Sequence, residues 1–142
     1  MNGYQVLFQL GDTPSRPVLE ALLEALSERN RLWYLQSWID QGNPPRSALE
    51  AGVIWRPDRP GTFAVFQDAP VVFTQKVASC GPIAAIMVGH ARAQAQLSGA
   101  SLEAVRARHR VVLRPLRGPN EWHAWHAVGK KLVDPTVGMR RI

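Results

Sequence analysis

Apolar residues recur at three- and four-residue spacing through Val18, Leu19, Leu22, Leu23 and Leu26, and the pattern resumes at Leu32, Trp33, Leu35, Trp38 and Ile39. That spacing predicts one long helix, or two joined near Asn30, with Ser15 as its cap and Pro17 in its first turn. Gln41-Gly42-Asn43-Pro44-Pro45 ends it, because the two prolines lack amide donors and clash with a preceding helical turn. Ahead of the helix, Tyr4 to Leu10 reads as a strand or extended arm closed by Gly11-Asp12-Thr13-Pro14. Ser47 to Trp55 then runs into a second breaker, Arg56-Pro57-Asp58-Arg59-Pro60-Gly61, so only short elements fit between the two.

Thr62 to Phe66 and Val71 to Phe73, rich in branched and aromatic residues, are expected to be short strands or extended segments. Cys80-Gly81-Pro82 opens a helix whose apolar face runs from Ile83, Ala84, Ala85, Ile86 and Met87 toward Ala91 and Leu97. Beyond Ser98-Gly99, the run Val105 to Leu113 alternates apolar residues with Arg106, Arg108 and Arg110, and period two predicts a strand. Val112 alone breaks the polar face. After a turn at Arg117-Gly118-Pro119-Asn120, Trp122 to Val128 and Leu132 to Asp134 form a closing hairpin that turns near Gly129. The expected architecture is α+β, with N-terminal helices and a cysteine-bearing helix packed on an antiparallel sheet. It is read as one domain over residues 1–142, with a helical portion at 1–60 and the cysteine helix plus sheet at 61–142.

A chain of 142 residues buries roughly two thirds of the surface its unfolded form exposes, so it needs no staple to fold. One cysteine makes no internal disulfide, and four histidines with one thiol show no zinc-like spacing, so neither metal nor cofactor is expected. No stretch approaches the ~20 apolar residues of a membrane span, and Met1 to Leu10 lacks a basic leader region. The expectation is a protein without a membrane partner, not secreted by a signal peptide, from a reducing compartment. The net charge of +6 rests on 14 arginines against 3 lysines. Arg106, Arg108, Arg110, Arg114 and Arg117 crowd an acid-free segment, and with Arg140 and Arg141 they offer a surface to an anionic partner. A solvated strand face explains the same row and is the reading expected ahead of nucleic-acid binding.

The chemistry concentrates on Cys80. A helix N-terminus favours the thiolate, which is the nucleophilic form. Pro82 fits a first helical turn, and Gly81 is expected to let a substrate carbonyl approach backbone amides that serve as part of an oxyanion hole. A buried core thiol is the plain alternative. A catalytic cysteine also needs an imidazole, and the imidazole an acceptor on its other nitrogen. Asp134 can be that acceptor. A two- or four-residue hairpin loop puts His123 on its face, directly opposed if Val128-Gly129 form the loop, whereas a three-residue loop brings His126 level with it. Spacing leaves both histidines open.

His123-Ala124-Trp125 followed by Leu132-Val133-Asp134-Pro135-Thr136 resembles the closing hairpin of transglutaminase-like cysteine hydrolases, in which the first histidine joins the cysteine and the aspartate. That resemblance selects His123. Gln75, four residues, then Cys80-Gly81-Pro82 with Ala84 and Ala85 is similar to papain-like peptidases that remove double-glycine leader peptides, and implies Gln75 as the oxyanion-hole side chain. Further upstream, Asn30 with Trp33 and Leu35, then Leu49-Glu50-Ala51-Gly52-Val53-Ile54-Trp55, and the ending Gly138-Met139 resemble small transglutaminase-like proteins of bacteriophage and prophage. Gly81-Pro82 stands where that group commonly carries acids.

Two functions follow as expectations. In the first, Cys80 attacks a peptide or amide carbonyl, His123 moves the proton, Asp134 holds the imidazole, and water or an amine resolves the thioester. In the second, the same fold is a catalytically silent structural or binding part of a phage particle or injection machine, with phage structural proteins as partners. His90 and His109 read as structural. Trp122 and Trp125 can shield the ion pair or simply pack, and Glu121 is expected to face solvent.

Overall fold

The computed structural model describes residues 5–9, 15–40, 42–57, 63–115 and 122–142. Tyr4, Leu10, the break at residues 11–14, Gln41, residues 58–62, the turn at residues 117–120 and Glu121 lie outside the described residues. In chain order the elements are β1 (Gln5–Gln9), α1 (Arg16–Asp40), β2 (Ile54–Trp55), β3 (Phe63–Gln67), α2 (Ala69–Gln75), β4 (Val77–Ala78), α3 (Cys80–Leu97), α4 (Leu102–Arg108), β5 (His109–Pro115), β6 (Trp122–Val128) and β7 (Lys131–Val133). This is α+β. The main sheet is antiparallel in the order β5-β6-β7, β1 pairs antiparallel with β3, and β2 pairs parallel with β4. The first 60 residues therefore supply two strands as well as helix.

α1 is a single helix, with Leu19 N bonded to Ser15 O at 3.1 Å, and it runs unbroken through Asn30. Asparagine is a poor interior helix residue, but this one is fully buried and its Oδ1 accepts the Ala69 amide at 2.7 Å where α2 begins. α1 crosses α3 beside it at Gly89, where an added Cβ would lie 2.5 Å from Asn30 Cβ and 3.0 Å from the backbone at Ser27 and Arg31. Leu19, Leu23 and Leu26 meet Phe66, Ala84, Ala85, Val88, Val111, Leu113 and Ala124 in one core, and each buried leucine contributes about 1.5–3 kcal/mol. A second core gathers Tyr34, Ala48, Val53, Val72, Ile83 and Ile86 behind α3.

Two expectations are corrected. Val71 to Phe73 is helical: Pro70 suits the first turn, and Ala69 and Val72 are buried one turn apart, so packing overrides the β-branched composition. Lys76 at φ 64° ends that helix, its amide bonded to Val72 O at 2.8 Å. The alternating run from Val105 changes structure midway. Ser101 caps α4 by accepting the Ala104 amide at 3.1 Å, and the strand starts only at His109. Val105 is buried from the helix while Ala107 is exposed, so the alternation across 105–108 was a coincidence of two periods.

Candidate active site

β4 delivers the chain to Ser79, an extended N-cap, and Cys80 is the first residue of α3. β2 holds that approach in place, through Ile54 N to Lys76 O at 2.8 Å and Arg56 N to Ala78 O at 3.0 Å. The half-buried Cys80 packs with Trp122 on the leucine core, its Sγ 3.9 Å from the Trp122 carbonyl oxygen. That oxygen is one residue before His123. Gly81 does not open a path for substrate. It is buried, and a Cβ there would stand 2.9 Å from Phe66 Cε1 and 3.2 Å from Leu23 Cδ2, so close packing is what requires glycine.

β6 pairs with β7 as His126 to Val133, Ala127 to Leu132 and Val128 to Lys131, so the turn is Gly129-Lys130, with Gly129 at φ 60°. The loop has two residues but sits one position later than Val128-Gly129. His123 is therefore a diagonal neighbour of Asp134 rather than directly opposed, still on the same face. His123 Nε2 lies 3.0 Å from Asp134 Oδ1, and that oxygen also accepts the Thr136 amide at 2.9 Å and the Thr136 hydroxyl at 2.7 Å. Burial alone would raise the Asp134 pKa. The Thr136 and His123 hydrogen bonds outweigh it and hold the carboxyl below its ordinary value. His123 is 6% exposed, walled by Trp125 at 5.0 Å and Trp55 at 6.1 Å between ring centroids, with the Arg141 guanidinium 5.2 Å from the Trp55 ring centre.

His126, the alternative base, is on the opposite face and does not meet Asp134. Its Nε2 lies 3.0 Å from His109 Nδ1, so one ring nitrogen donates and the other accepts. Burial, then the neighbouring His109 and Arg92, push its pKa down to about 4. Gln75 ends α2, exposed, with its Oε1 accepting from Gln67 Nε2 at 3.1 Å. The expected arginine row is divided. Arg106 belongs to α4 and pairs with Glu28, Arg108 is exposed in the last turn of α4, and only Arg110 lies on the strand. Helical positions two apart do not share a face, which is why the row does not form.

Several residues that shape this region carry little sequence signal. Arg92 is fully buried, bonding Glu24 through both terminal nitrogens at 2.6 and 2.7 Å, Glu28 at 3.0 Å and the His109 carbonyl at 2.8 Å. Trp55 reaches His123 from a two-residue strand. Thr136 was the readable one, since an aspartate two residues before a hydroxyl residue is a turn pattern. His90 is half-buried against Tyr34 and Trp38, with burial and then Arg46 lowering its pKa, as suits a structural histidine. Among the described residues no three His, Cys, Asp or Glu side chains are grouped to hold a metal ion, and no helix is long and apolar enough to cross a membrane. Compared with protein-family models, with curated proteins and with solved structures, the chain matches none of them.

Proposed function

We propose that this chain is a papain-like or transglutaminase-like cysteine hydrolase or acyltransferase acting on a peptide or amide bond. The observation that carries the proposal is the contact of buried His123 with Asp134, the histidine directly following the Trp122 carbonyl that lies 3.9 Å from the Cys80 sulfur. With Nε2 donating to Asp134, Nδ1 is the nitrogen that exchanges protons with substrate and thiol. The imidazole takes the Cys80 proton, and the thiolate adds to the carbonyl carbon. The resulting oxyanion is held by backbone amides at the start of α3 and by the Gln75 amide, whose other end Gln67 fixes. Collapse expels the amine, which takes the imidazolium proton, and leaves a thioester. Water, deprotonated by His123, completes hydrolysis; an amine in its place completes transamidation.

The pH dependence of Cys80 alkylation by iodoacetamide, in the parent and in His123→Ala, tests this. A thiolate and imidazolium pair gives fast alkylation extending to low pH in the parent, lost in the variant. The second reading, a silent structural component of a phage particle or injection machine, is favoured by the packing of Cys80 with Trp122 on the leucine core. It requires slow alkylation in both proteins.

A further inference from the structure

Cross-strand partners share a face of a sheet, and the register pairs Arg110 with Ala127, Val112 with Trp125 and Arg114 with His123. Val111, Leu113 and His126 point the other way, into the core, where Arg92 borders the histidine pair. The outer face thus carries two exposed guanidiniums four residues apart, half-buried Val112 and Trp125 between them, and His123 beside Arg114. Among the described residues neither Arg110 nor Arg114 has a salt bridge, whereas Arg29, Arg31, Arg92 and Arg106 are paired with acids of α1 or with Asp68. The acid on this face, Asp134, has its Oδ1 engaged by His123 and Thr136.

We infer that this face binds an extended acidic peptide segment of the substrate, with carboxylates four residues apart on Arg110 and Arg114 and an apolar side chain between them over Trp125 and Val112. The inference rests on the hydrolase reading, since it takes the segment to lead its peptide bond to His123. An extended chain rises about 3.3 Å per residue, so Arg110 and Arg114 stand roughly 13 Å apart, the repeat of a peptide lying along the strand. Recognition is through side chains on the face. The edge of β5 is already occupied, with the Leu113 amide on Glu20 Oε2 at 2.9 Å and the His109 carbonyl on Arg92, which closes it to an added strand. A single-stranded nucleic acid brings a phosphate at every nucleotide, and the ground between the two guanidiniums is apolar, which favours a peptide.

The test is fluorescence anisotropy of a labelled peptide with two glutamates four apart and leucine midway, titrated with the full chain carrying Cys80→Ala. Expected is saturable binding that weakens at least tenfold in Arg110→Gln/Arg114→Gln, weakens with salt, and vanishes for the peptide with lysines in place of glutamates. Binding unchanged in the double variant overturns the inference, as does an oligothymidylate of equal charge that binds tighter and displaces the peptide. Alkylation of Cys80, measured separately in the parent and in His123→Ala, tells the two readings apart. Peptide binding retained with alkylation indifferent to His123 refutes the hydrolase reading and leaves the acidic-peptide surface standing. Peptide binding absent with His123-dependent alkylation refutes the surface alone.

Discussion

Thr136 closes on Asp134 with two donors, its amide at 2.9 Å and its hydroxyl at 2.7 Å, both on the oxygen that faces His123. The carboxylate is thereby fixed before it orients the imidazole. Thr136→Val, which keeps shape and amide but removes the hydroxyl, is expected to slow Cys80 alkylation several-fold, and Asp134→Asn to slow it about 100-fold or more. Because the folded pKa of Asp134 lies below its ordinary 3.8, its contribution to stability is complete above that value and is lost as pH falls through the lower folded one. Asp134→Asn flattens that part of a denaturation-against-pH curve.

The neutral pair His109 and His126 predicts a different window. An unfolded histidine takes its proton near 6.5, while folded His126 resists until about 4. Protons therefore favour the unfolded chain across that interval, and stability falls as pH drops from about 6.5 to about 4. His126→Gln should shallow the slope in urea denaturation, while leaving the pH profile of Cys80 alkylation in place, since His126 is on the face away from Asp134.

Arg92 is fully enclosed while Glu24 and Glu28 keep 44% and 20% of their side chains exposed, so removing one side of the network is not equivalent to removing the other. Glu24→Gln with Glu28→Gln strands a buried guanidinium and is expected to cost about 3–5 kcal/mol. Arg92→Met leaves acids that reach water and should cost about 1–2 kcal/mol. Urea unfolding of the two variants checks the order. Burial alone would raise the Glu28 pKa, but hydrogen bonds from Arg31 and Arg106 and the charges of Arg31 and Arg92 bring it down to about 2, so its share is complete above about 4.5 and disappears toward pH 2.

Two glycines of α3 separate by what a methyl would strike. Gly89→Ala drives into the α1 backbone at 3.0 Å and should destabilise by about 1–3 kcal/mol, whereas Gly81→Ala meets the Phe66 ring and the end of Leu23 and should cost less. Thermal unfolding of both variants measures the difference.

The elements with strong periodicity were legible: α1 from its leucines, α3 from Cys80 onward, the closing hairpin from its alternation. The hairpin also carried the His123 and Asp134 pairing, because face-sharing depends on the parity of the loop and survives a one-position error in its placement. Resemblance, and not spacing, favoured His123 over His126 beforehand. Where the reading failed, tertiary packing decided. Val71 to Phe73 coils because Ala69 and Val72 find a core at helical spacing, and Arg106 leaves the strand because Glu28 waits on α1. Gly81 looked like an approach for substrate because no local pattern announces which ring will pack against it; Phe66, 15 residues earlier, fills that space.

β2 has only two residues, yet its segment is bonded on three sides. It holds β4 just ahead of Cys80, it sets the Trp55 ring against His123, and it carries residues 140–142 through Trp55 N to Arg140 O at 2.8 Å and Ile142 N to Trp55 O at 3.0 Å. So short a ladder has no interior bonds to protect it and is expected to open as a unit. The integrity of the site would then depend on a local opening far smaller than global unfolding. Amide hydrogen exchange at Trp55 and Arg56 would register each time the cysteine side and the histidine side come adrift together.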